Sequence, residues 1–502
     1  MDPERGSPTA GDTAPAADVT ARRDARRLVA GIRATARSTL HVGGIGLASA
    51  LEQALFYALR DGTFAEPRFP WVPQAARYPV RIARTAAAWL TRSNVADAPA
   101  RPIAILVLAP VHELLVEPVI AELERRAAPP VVVLRAGISA DAGYAGDRHA
   151  SLSDFLSAAW VAELARHQVA LAARLRLPED WPHSTRIDAE RLRAFIIFQL
   201  SVMALNAAQL DSAIARLRPR LFVALEEFGR WSRLVPAVAR RHATPSLDLP
   251  HAEAADPVAM DRLEYDTIAV YGPRAEEVMI AGGNDPRRLV QIGPLRFDPL
   301  IGMMRDRPAA SSSVRQRVVV FAGQPTSGRV TRELNVVAVR GALAAAAAVA
   351  PCELLVKPHP LERPTDRLLF EEVLAGYRLP ADVTVRVVDD DLHTVLPDSW
   401  LLVTGFSQSV FEAAISGVPA ITVDASRGQV PVTFARDGLA IGATDPASAG
   451  EAARRLLAND ERRAAVTQAR RELERRIGPL DGRASQRAAE LILARMAPEG
   501  GG

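Results

Sequence analysis

Residues that could perform chemistry concentrate in the second half of this sequence. Lys357-Pro358-His359-Pro360 follows an apolar strand pattern. The prolines fix the backbone on both sides of the histidine and end the strand, so the imidazole is presented at the strand's carboxyl end. In an open α/β sheet, ligands bind at that edge. A lysine beside an imidazole suits a phosphate or pyrophosphate leaving group, while a structural turn capped by His359 is the alternative.

A second segment, Thr404-Gly405-Phe406-Ser407-Gln408-Ser409, follows another apolar strand pattern and opens a helix. Glycine and hydroxyls at a helix N-terminus form an anion cradle, because the backbone N–H groups and the helix dipole both favour negative charge. Glu412, one turn into the helix, is placed to accept hydrogen bonds from ribose hydroxyls. A plain N-cap would account for Ser407 or Ser409, but not for their combination with the Lys-His segment.

Metal chemistry has little support in the sequence. Three consecutive carboxylates, Asp389 to Asp391, cannot easily face one ion from a strand end because side chains alternate along a strand. We interpret them as a solvated turn and helix start, with a magnesium site near His393 as the open alternative. P-loop, GxGxxG and HExxH motifs are absent, and a single cysteine, Cys352, excludes a site with several thiolates. We therefore expect no metal and no cofactor.

The elements that must position these residues form two series of strand and helix patterns. Residues 102–134 give an apolar strand, an amphipathic helix and an apolar strand, which indicates a buried parallel sheet. Further strands are predicted at 221–225, 246–250 and 267–272 in the first series, and at 318–323, 353–360, 384–389, 400–405 and 420–424 in the second. The sequence therefore predicts an α/β protein with two Rossmann-like domains.

The predicted organisation runs in chain order as follows: a disordered tail (1–20), a helical extension (21–100), an N-terminal Rossmann-like domain (101–300), a linker (301–316), a C-terminal Rossmann-like domain (317–480), and a C-terminal helix and tail (481–502). Residues 21–60 are basic at their start and apolar later. Such a helical segment can pack on its own domain, lie on an anionic membrane, or dimerise.

Charge and hydropathy exclude several classes of protein. Among 502 residues, 61 Lys and Arg nearly balance 58 Asp and Glu without a clustered basic run, so we expect no nucleic-acid partner. The first twenty residues lack the apolar core of a signal peptide, and no uninterrupted apolar run approaches ~18 residues. We expect a cytoplasmic protein, with peripheral contact at the inner membrane face through residues 21–60 as an open alternative.

Four strings together resemble one group of proteins: AGQP (322–325), KPHP (357–360), DDDLHTVL (389–396) and LLVTGFSQSVFEAAISGVPAI (401–421). The group comprises GT-B-fold glycosyltransferases and polyol-phosphotransferases of bacterial surface polysaccharides, including CDP-glycerol glycerophosphotransferases and bacterial sialyltransferases. The resemblance implies two Rossmann-like domains facing across a cleft, the second of which binds the nucleotide of the donor. It implies a donor-nucleotide site formed by Gly323, Gln324, Lys357, His359, Thr404, Gly405, Ser407, Ser409 and Glu412.

The first domain resembles the same group more faintly, in LEEFGRW (225–231), LDLPHAEA (247–254) and IGPLRFD (292–298). Glu226 or Glu227 resembles the acidic residue that serves as general base in sialyltransferase-like members, and His251 is placed to do the same or to orient the acceptor. The turn LPHA stands where such proteins have a Gln-His-Gly-like turn. An exposed acidic pair held by Arg230 or Arg233 is the alternative for the two glutamates.

The resemblance implies a metal-independent glycosyltransferase or glycerophosphotransferase-like enzyme of polysaccharide or other glycoconjugate biosynthesis. It would transfer a sugar or polyol phosphate from a nucleotide-activated donor, a CMP or CDP type in preference to UDP, to a hydroxyl-bearing glycan or small-molecule acceptor. A non-hydrolysing nucleotide-sugar 2-epimerase and a non-catalytic GT-B-like scaffold that binds nucleotide or glycan are the alternatives.

Overall fold

The computed structural model describes residues 16–61, 101–136, 148–178, 189–226, 228–254, 256–307, 317–326, 330–359, 362, 364–428, 430 and 432–496. These residues form two compact units. Unit 1 takes in those within Met1–Tyr271, Ala275–Leu295 and Ser485–Gly502, and unit 2 takes in those within Gly272–Arg274 and Arg296–Ala484. Most of the predicted tail and residues 62–100 of the predicted extension lie outside the described residues.

The elements are numbered in chain order. The strands are β1 (His41–Val42), β2 (Ile45–Gly46), β3 (Ile103–Val107), β4 (Val131–Arg135), β5 (His149–Ser151), β6 (Leu221–Ala224), β7 (Ser246–Asp248), β8 (Thr267–Val270), β9 (Leu289–Gln291), β10 (Arg317–Ala322), β11 (Cys352–Lys357), β12 (Val383–Val387), β13 (Leu401–Thr404), β14 (Ala420–Val423) and β15 (Ile441–Ala443). The helices are α1 (Ala16–Ala36), α2 (Ala48–Arg60), α3 (Pro110–Arg125), α4 (Ala158–Arg174), α5 (Ala189–Leu217), α6 (Trp231–Arg241), α7 (Pro273–Ala281), α8 (Asp298–Asp306), α9 (Arg332–Ala348), α10 (Pro364–Ala375), α11 (Leu392–Val395), α12 (Ser409–Ser416), α13 (Pro446–Arg455), α14 (Asn459–Ile477) and α15 (Ala484–Arg495).

Unit 1 contains a parallel seven-stranded sheet in the order β5-β4-β3-β6-β7-β8-β9. Every residue of β3, β6 and β8 is buried. Continuous apolar runs of this kind are typical of strands that helices cover on both faces. Helix α5 is apolar and long enough to cross a membrane by composition alone, but 67% of its most apolar window is buried inside the structure.

The N-terminal extension packs on unit 1, which confirms the packing alternative for residues 21–60. Apolar side chains of α1 and α2 such as Ile32 and Leu55 are fully buried. Arg22 of α1 and Arg233 of α6 each place a guanidinium nitrogen 3.1 Å from Asp261 Oδ1. Because these ion pairs join distant parts of the chain, they fix the extension to the body of the unit.

Unit 2 contains a parallel six-stranded sheet in the order β12-β11-β10-β13-β14-β15. This is the doubly wound order, in which the chain runs outward from β10 and then returns to the other side of it at β13. Its core includes the only cysteine, Cys352, which is fully buried and donates a hydrogen bond from Sγ to the carbonyl oxygen of Ala346, 3.3 Å away. Burial raises the pKa of this thiol to about 11.

The predicted fold class, an α/β protein with two Rossmann-like domains, is confirmed. All the strands predicted for both series are present. Five further strands were not predicted. β1 and β2 have two residues each and form a small sheet of their own, whereas β5, β9 and β15 have three residues each and lie at the edges of the two large sheets, where pairing rather than hydrophobicity defines the strand. Helix α8 occupies the first part of the predicted linker, and the rest of it, 308–316, lies outside the described residues.

Two glycines in helices of unit 2 should respond oppositely to replacement by alanine. A Cβ on Gly341 of α9 would lie 2.7 Å from Val423 Cγ2, whereas a Cβ on Gly302 of α8 would meet nothing within 4 Å. Gly341→Ala should destabilise unit 2 by about 1–3 kcal/mol through overpacking. Gly302→Ala should stabilise it by about 0.5–1 kcal/mol because alanine loses less backbone entropy in a helix. Calorimetric unfolding of the two variants checks this, and equal shifts of the same sign would contradict it.

Candidate functional site

The candidate site lies at the carboxyl edge of the unit 2 sheet, where the strand order reverses between β10 and β13. At this switch point the Thr404 hydroxyl, which is fully buried, donates a hydrogen bond to the Ala322 carbonyl oxygen at 2.9 Å. Adjacent parallel strands bring their carboxyl ends to one edge. The segments after β10, β11 and β13 therefore meet there.

Gln324 connects the first and third of these segments. Its Oε1 accepts a hydrogen bond from Phe406 N at 2.9 Å, and its backbone oxygen accepts one from Asn335 Nδ2 at 3.3 Å. A Cβ on Gly405 would lie 3.1 Å from Gln324 Nε2, so the absence of a side chain allows this close approach. Gln324 Nε2 is buried and has no hydrogen-bond partner among the described residues. The hydrogen bond to Oε1 thus fixes the side-chain amide of Gln324, and its Nε2 group remains at the switch point as a donor without a partner among the described residues.

Helix α12 starts at this edge with the predicted serines. Ser407 Oγ accepts a hydrogen bond from Ser409 N at 3.2 Å, so Ser407 satisfies one backbone donor of the first turn. Ser409 is 2% exposed, and within the described part of the chain its hydroxyl has no partner. The Ser407 hydroxyl therefore caps the start of the helix, which is the alternative to phosphate binding that the sequence left open. The Ser409 hydroxyl has no such capping role.

Glu412 is almost completely buried, at 1% exposure, and its carboxylate is paired. Glu412 Oε1 lies 2.9 Å from an Arg296 guanidinium nitrogen and 3.5 Å from His393 Nε2. Arg296 stands in the segment IGPLRFD, which the sequence assigned to the end of the first domain, but it belongs to unit 2. Since 43% of the Arg296 side chain is exposed, one end of the pair is buried and the other is open to solvent.

Lys357 and His359 add to this positive charge. Lys357 Nζ donates to the Asp389 carbonyl oxygen at 3.1 Å, which holds the ammonium group at the end of β11. Burial lowers the pKa of His359, and the nearby charges of Arg296 and Lys357 lower it further. Its imidazole is therefore neutral at pH 7 and able both to donate and to accept hydrogen bonds. Pro360, the last residue of the motif, lies outside the described residues.

A pocket of about 210 Å³ opens beside Lys357, between β10, β11 and the helices α9 and α10. Gly323 and Gln324 line it together with apolar side chains such as Phe370. Glu362 also lines it, and burial raises the pKa of this carboxyl. A Cβ on Gly323 would collide with Glu362 Oε1, so glycine is required there for the carboxylate to occupy its place.

The acidic run 389–391 forms a turn and a helix start, in agreement with its favoured interpretation. Asp391 Oδ1 accepts a hydrogen bond from His393 N at 2.9 Å and begins α11. Among the described residues, no group of three or more histidine, cysteine, aspartate or glutamate side chains is arranged to hold a metal ion.

In unit 1 the predicted catalytic residues follow neighbouring strands. Glu226 comes after β6, and its backbone N–H donates to Asp248 Oδ1 at 3.2 Å. His251 comes after β7, and its ring lies 5.3 Å from that of His112 and 5.5 Å from that of Phe228. Glu227 lies outside the described residues. Arg233, one proposed partner of the two glutamates, pairs with Asp261.

His112 and Glu113, at the start of α3, have structural contacts. His112 Nδ1 accepts a hydrogen bond from Leu108 N at 3.4 Å, which ties the end of the β3 segment to the first turn of α3. Glu113 and Arg135, both buried, form a two-point ion pair with distances of 2.5 and 3.0 Å.

Solved structures of other proteins share this fold. A putative UDP-N-acetylglucosamine 2-epimerase from Listeria monocytogenes matches with a TM-score of 0.52 and 15% identity over 79% of this chain and 96% of that one. The Staphylococcus aureus protein MnaA, solved with UDP, gives 0.51 and 12% over 80% and 100%. UDP-GlcNAc 2-epimerase from Neisseria meningitidis, bound to UDP-GlcNAc, gives 0.50 and 11% over 78% and 100%.

The fold is that of the GT-B class. Neither the family models nor the curated protein sequences give a match to this chain. The similarity to solved structures establishes the GT-B fold. Because no sequence comparison supports a narrower group, the resemblance to CDP-glycerol and sialyltransferase-like enzymes stays a prediction.

Two residues of this candidate site were not among the predicted ones. Arg296 has a signal in the sequence, since it stands in IGPLRFD, one of the strings by which the first domain resembles GT-B enzymes. Nothing local indicates that it contacts Glu412, 116 residues away. Glu362 lies two residues beyond Pro360, the last residue of the KPHP motif. This closeness to the motif is the only feature of the sequence that indicates a place in the site.

The Arg296–Glu412 pair can be tested by a double-mutant cycle. Arg296→Ala should destabilise unit 2 by about 1–3 kcal/mol because it leaves a buried carboxylate without its main partner. Adding Glu412→Gln should restore part of that loss, since it removes the uncompensated charge. Denaturant unfolding measures both changes.

Arg332→Ala is the matched control for this cycle, because Arg332 and its partner Glu372 are both half-exposed or more. It should change stability by no more than about 0.5 kcal/mol. Additive losses from Arg296→Ala and Glu412→Gln would show that the two side chains do not act as a pair.

Proposed function

We propose that this chain is an enzyme acting on a nucleotide-activated sugar or polyol phosphate, and that unit 2 binds the donor's phosphates. The observation that carries the proposal is the meeting of Arg296, Lys357 and His359 with the start of α12 at the switch point of the sheet. Open α/β sheets bind ligands at such a point, and positive charge there selects an anion.

The donors at this edge fit a pyrophosphate. The N-terminal end of α12 presents backbone N–H groups and a favourable dipole to an anion. The Ser409 hydroxyl and Gln324 Nε2 are buried donors without partners in the described residues, and a bound phosphate or nucleotide would satisfy them. These groups are already in place, so binding would cost little rearrangement.

Glu412 has two roles in this proposal. Its Oε1 fixes the guanidinium of Arg296, which then directs its exposed end toward the phosphates. The second carboxylate oxygen is the candidate acceptor for a ribose hydroxyl. A cytidine nucleotide remains one candidate for the donor's nucleotide. A uridine nucleotide is the other, since the solved structure of MnaA holds UDP and that of the Neisseria epimerase holds UDP-GlcNAc.

The reaction we favour is transfer to a hydroxyl acceptor. The acceptor oxygen attacks the donor carbon or phosphorus while Glu226 takes the hydroxyl proton, and Glu227 is the adjacent candidate for the same step. The bond to the nucleotide phosphate breaks, and its electron pair leaves on the phosphate oxygen. Arg296, Lys357 and the imidazole of His359 stabilise the charge that develops there. His251 would orient the acceptor, and no step requires a metal ion.

Epimerisation of a nucleotide sugar is the second candidate, because the solved structures that match with TM-scores of 0.50 or more include the UDP-GlcNAc 2-epimerase from Neisseria meningitidis. An epimerase inverts the sugar without net loss of nucleotide, whereas a transferase releases one nucleotide in each turnover. A non-catalytic GT-B-like scaffold would bind the nucleotide and do neither.

Donor binding should strengthen as pH falls. A nearby pyrophosphate raises the lowered pKa of His359, so the complex takes up a proton. Affinity for a nucleotide sugar should therefore rise from about pH 8 to pH 6, by no more than about tenfold per pH unit. UDP- and CDP-sugars are suitable ligands because their phosphodiesters do not titrate in this range. Isothermal titration calorimetry of the wild type and of His359→Asn at several pH values measures this dependence. If the affinity of the variant changes with pH as much as that of the wild type, His359 is not the group that takes up the proton.

The chemistry and the binding can be separated by two sets of variants. A thermal-shift screen with CMP, CDP, UDP, GDP and their sugar adducts identifies the base.

Lys357→Ala and Ser409→Ala should each weaken the thermal shift, since each removes a phosphate contact worth about 1–3 kcal/mol. Glu226→Gln and His251→Ala should keep the shift and lose turnover.

Release of free nucleotide in the presence of an acceptor extract measures transfer. Inversion of the sugar without release would identify an epimerase. A ligand shift that survives in the wild type without either reaction would identify a scaffold, and the absence of any shift across the panel would end the proposal.

A further inference from the structure

The pocket beside Lys357 has no role in the proposed function, although it adjoins the proposed phosphate site. Lys357 and Gln324 line the pocket, and both also belong to that site. Lys357 holds its ammonium group at the end of β11, and Gln324 Oε1 accepts a hydrogen bond from Phe406 N at the switch point. The sugar or polyol of an activated donor is bonded directly to a phosphate. A pocket next to the phosphate site is therefore within its reach.

The size of the pocket limits what it can hold. Its volume is about 210 Å³. Pockets that enclose a drug-sized ligand begin at about 300 Å³. The pocket is thus too small for a whole nucleotide, and it suits a single sugar ring or a short polyol chain.

The inner wall of the pocket is apolar. Phe321 and Phe370 stack with their ring centroids 6.3 Å apart and their planes 22° apart. The wall is completed by three more buried aliphatic side chains, those of Val339, Val356 and Leu369. Ligand pockets combine such a surface with a few polar groups that fix the ligand's orientation. A ring or chain with C–H bonds on one side and hydroxyls on the other matches this division.

Glu362 supplies a carboxyl group opposite the apolar wall. Glu362 N donates a hydrogen bond to the His359 carbonyl oxygen at 2.9 Å, so the turn after β11 fixes the residue. Its Oε1 occupies the space that a side chain at Gly323 would need. Burial raises the pKa of this carboxyl, and the nearby charge of Asp366 raises it further. The same surroundings that oppose negative charge on Glu362 also oppose it on a ligand.

Other charged side chains of the pocket strengthen this effect. Asp366 and Glu371 add two carboxylates to the lining, and its two described cations are Lys357 and Arg367. Both cations lie at Asp389: Lys357 Nζ donates to its carbonyl oxygen at 3.1 Å, and an Arg367 guanidinium nitrogen lies 3.8 Å from its Oδ1. A bound phosphate compensates the charge of Lys357. The lining then presents net negative charge to the group next to that phosphate.

We propose that this pocket receives the sugar or polyol of the donor and selects an uncharged, hydroxyl-bearing group against an acidic sugar. The inference rests on the proposed function and names the class of donor within it. The carboxyl oxygens of Glu362 accept hydrogen bonds from hydroxyls of the neutral group. A carboxylate on the sugar loses such a hydrogen bond and meets a like charge, which is how a site rejects a competing ligand.

The test compares two donors that differ only in one charged group. They are the glucose and glucuronic acid adducts of the diphosphate whose base the thermal-shift screen identifies, such as UDP-glucose and UDP-glucuronic acid. Isothermal titration calorimetry with the full chain should show that the glucose adduct binds more tightly by about tenfold or more. Equal affinities, or tighter binding of the glucuronic acid adduct, would overturn the proposal.

Glu362→Gln assigns the selectivity to this carboxyl, because it removes the charge and keeps the size of the side chain. The affinities of the variant for the two adducts should lie within about threefold of each other. Its affinity for the free nucleoside diphosphate should stay within about threefold of the wild-type value, since the phosphate contacts are intact. A wild-type preference for the neutral adduct in this variant would refute the role of Glu362.

Glu372→Gln is the matched control, because Glu372 is exposed and is not among the described lining residues. It removes the same charge close by and should keep the wild-type preference. An equal loss of preference in both variants would show a general effect of charge and overturn the proposal. If the wild type binds nucleotides without preferring the neutral adduct, only this inference fails, whereas the absence of any nucleotide binding ends the proposed function as well.

Discussion

The candidate site of unit 2 depends on one buried charge. Glu412 is a carboxylate with 1% exposure, and burying a charge costs free energy unless a partner compensates it. The guanidinium of Arg296 is that compensation, and the N-terminal dipole of α12 adds to it because Glu412 lies in the first turn. The need to neutralise Glu412 thus brings a guanidinium to the switch point, where its exposed end is available to a second anion.

The close approach of three strand ends provides the geometry around this charge. Thr404 ties β13 to β10, and Gln324 ties the loop after β10 to the start of the α12 segment. Gly323 and Gly405 make these approaches sterically possible, because a side chain at either position would meet Glu362 or Gln324. The glycines, which a sequence pattern shows only as breaks after strands, therefore leave room for the Glu362 carboxylate and the Gln324 amide at this edge.

Most of this fold was accessible from the sequence because buried parallel strands are continuous apolar runs bounded by turn residues. Strands such as β3 and β13 follow that rule, while β5 and β15 have three residues each and exist through pairing with a neighbour. The same division applies to the site. Lys357, His359 and Ser409 could be proposed from the sequence because their positions at strand or helix ends are local properties. The partner of Glu412 is 116 residues distant, and no local spacing pattern predicts such a contact. In unit 1, Glu226 and His251 were placed at strand ends correctly, but their contacts with Asp248 and His112 are tertiary.

The single cysteine has a practical consequence for work on this protein. The Cys352 thiol is fully buried, hydrogen-bonded to a carbonyl and raised in pKa to about 11, so almost none of it is thiolate at neutral pH. Alkylating reagents and mild oxidants should leave the native chain untouched, and its behaviour should not depend on the redox poise of its surroundings. A cysteine introduced on an exposed loop would be the one reactive thiol, which makes the chain a ready substrate for fluorescent or spin labels without prior removal of native cysteines.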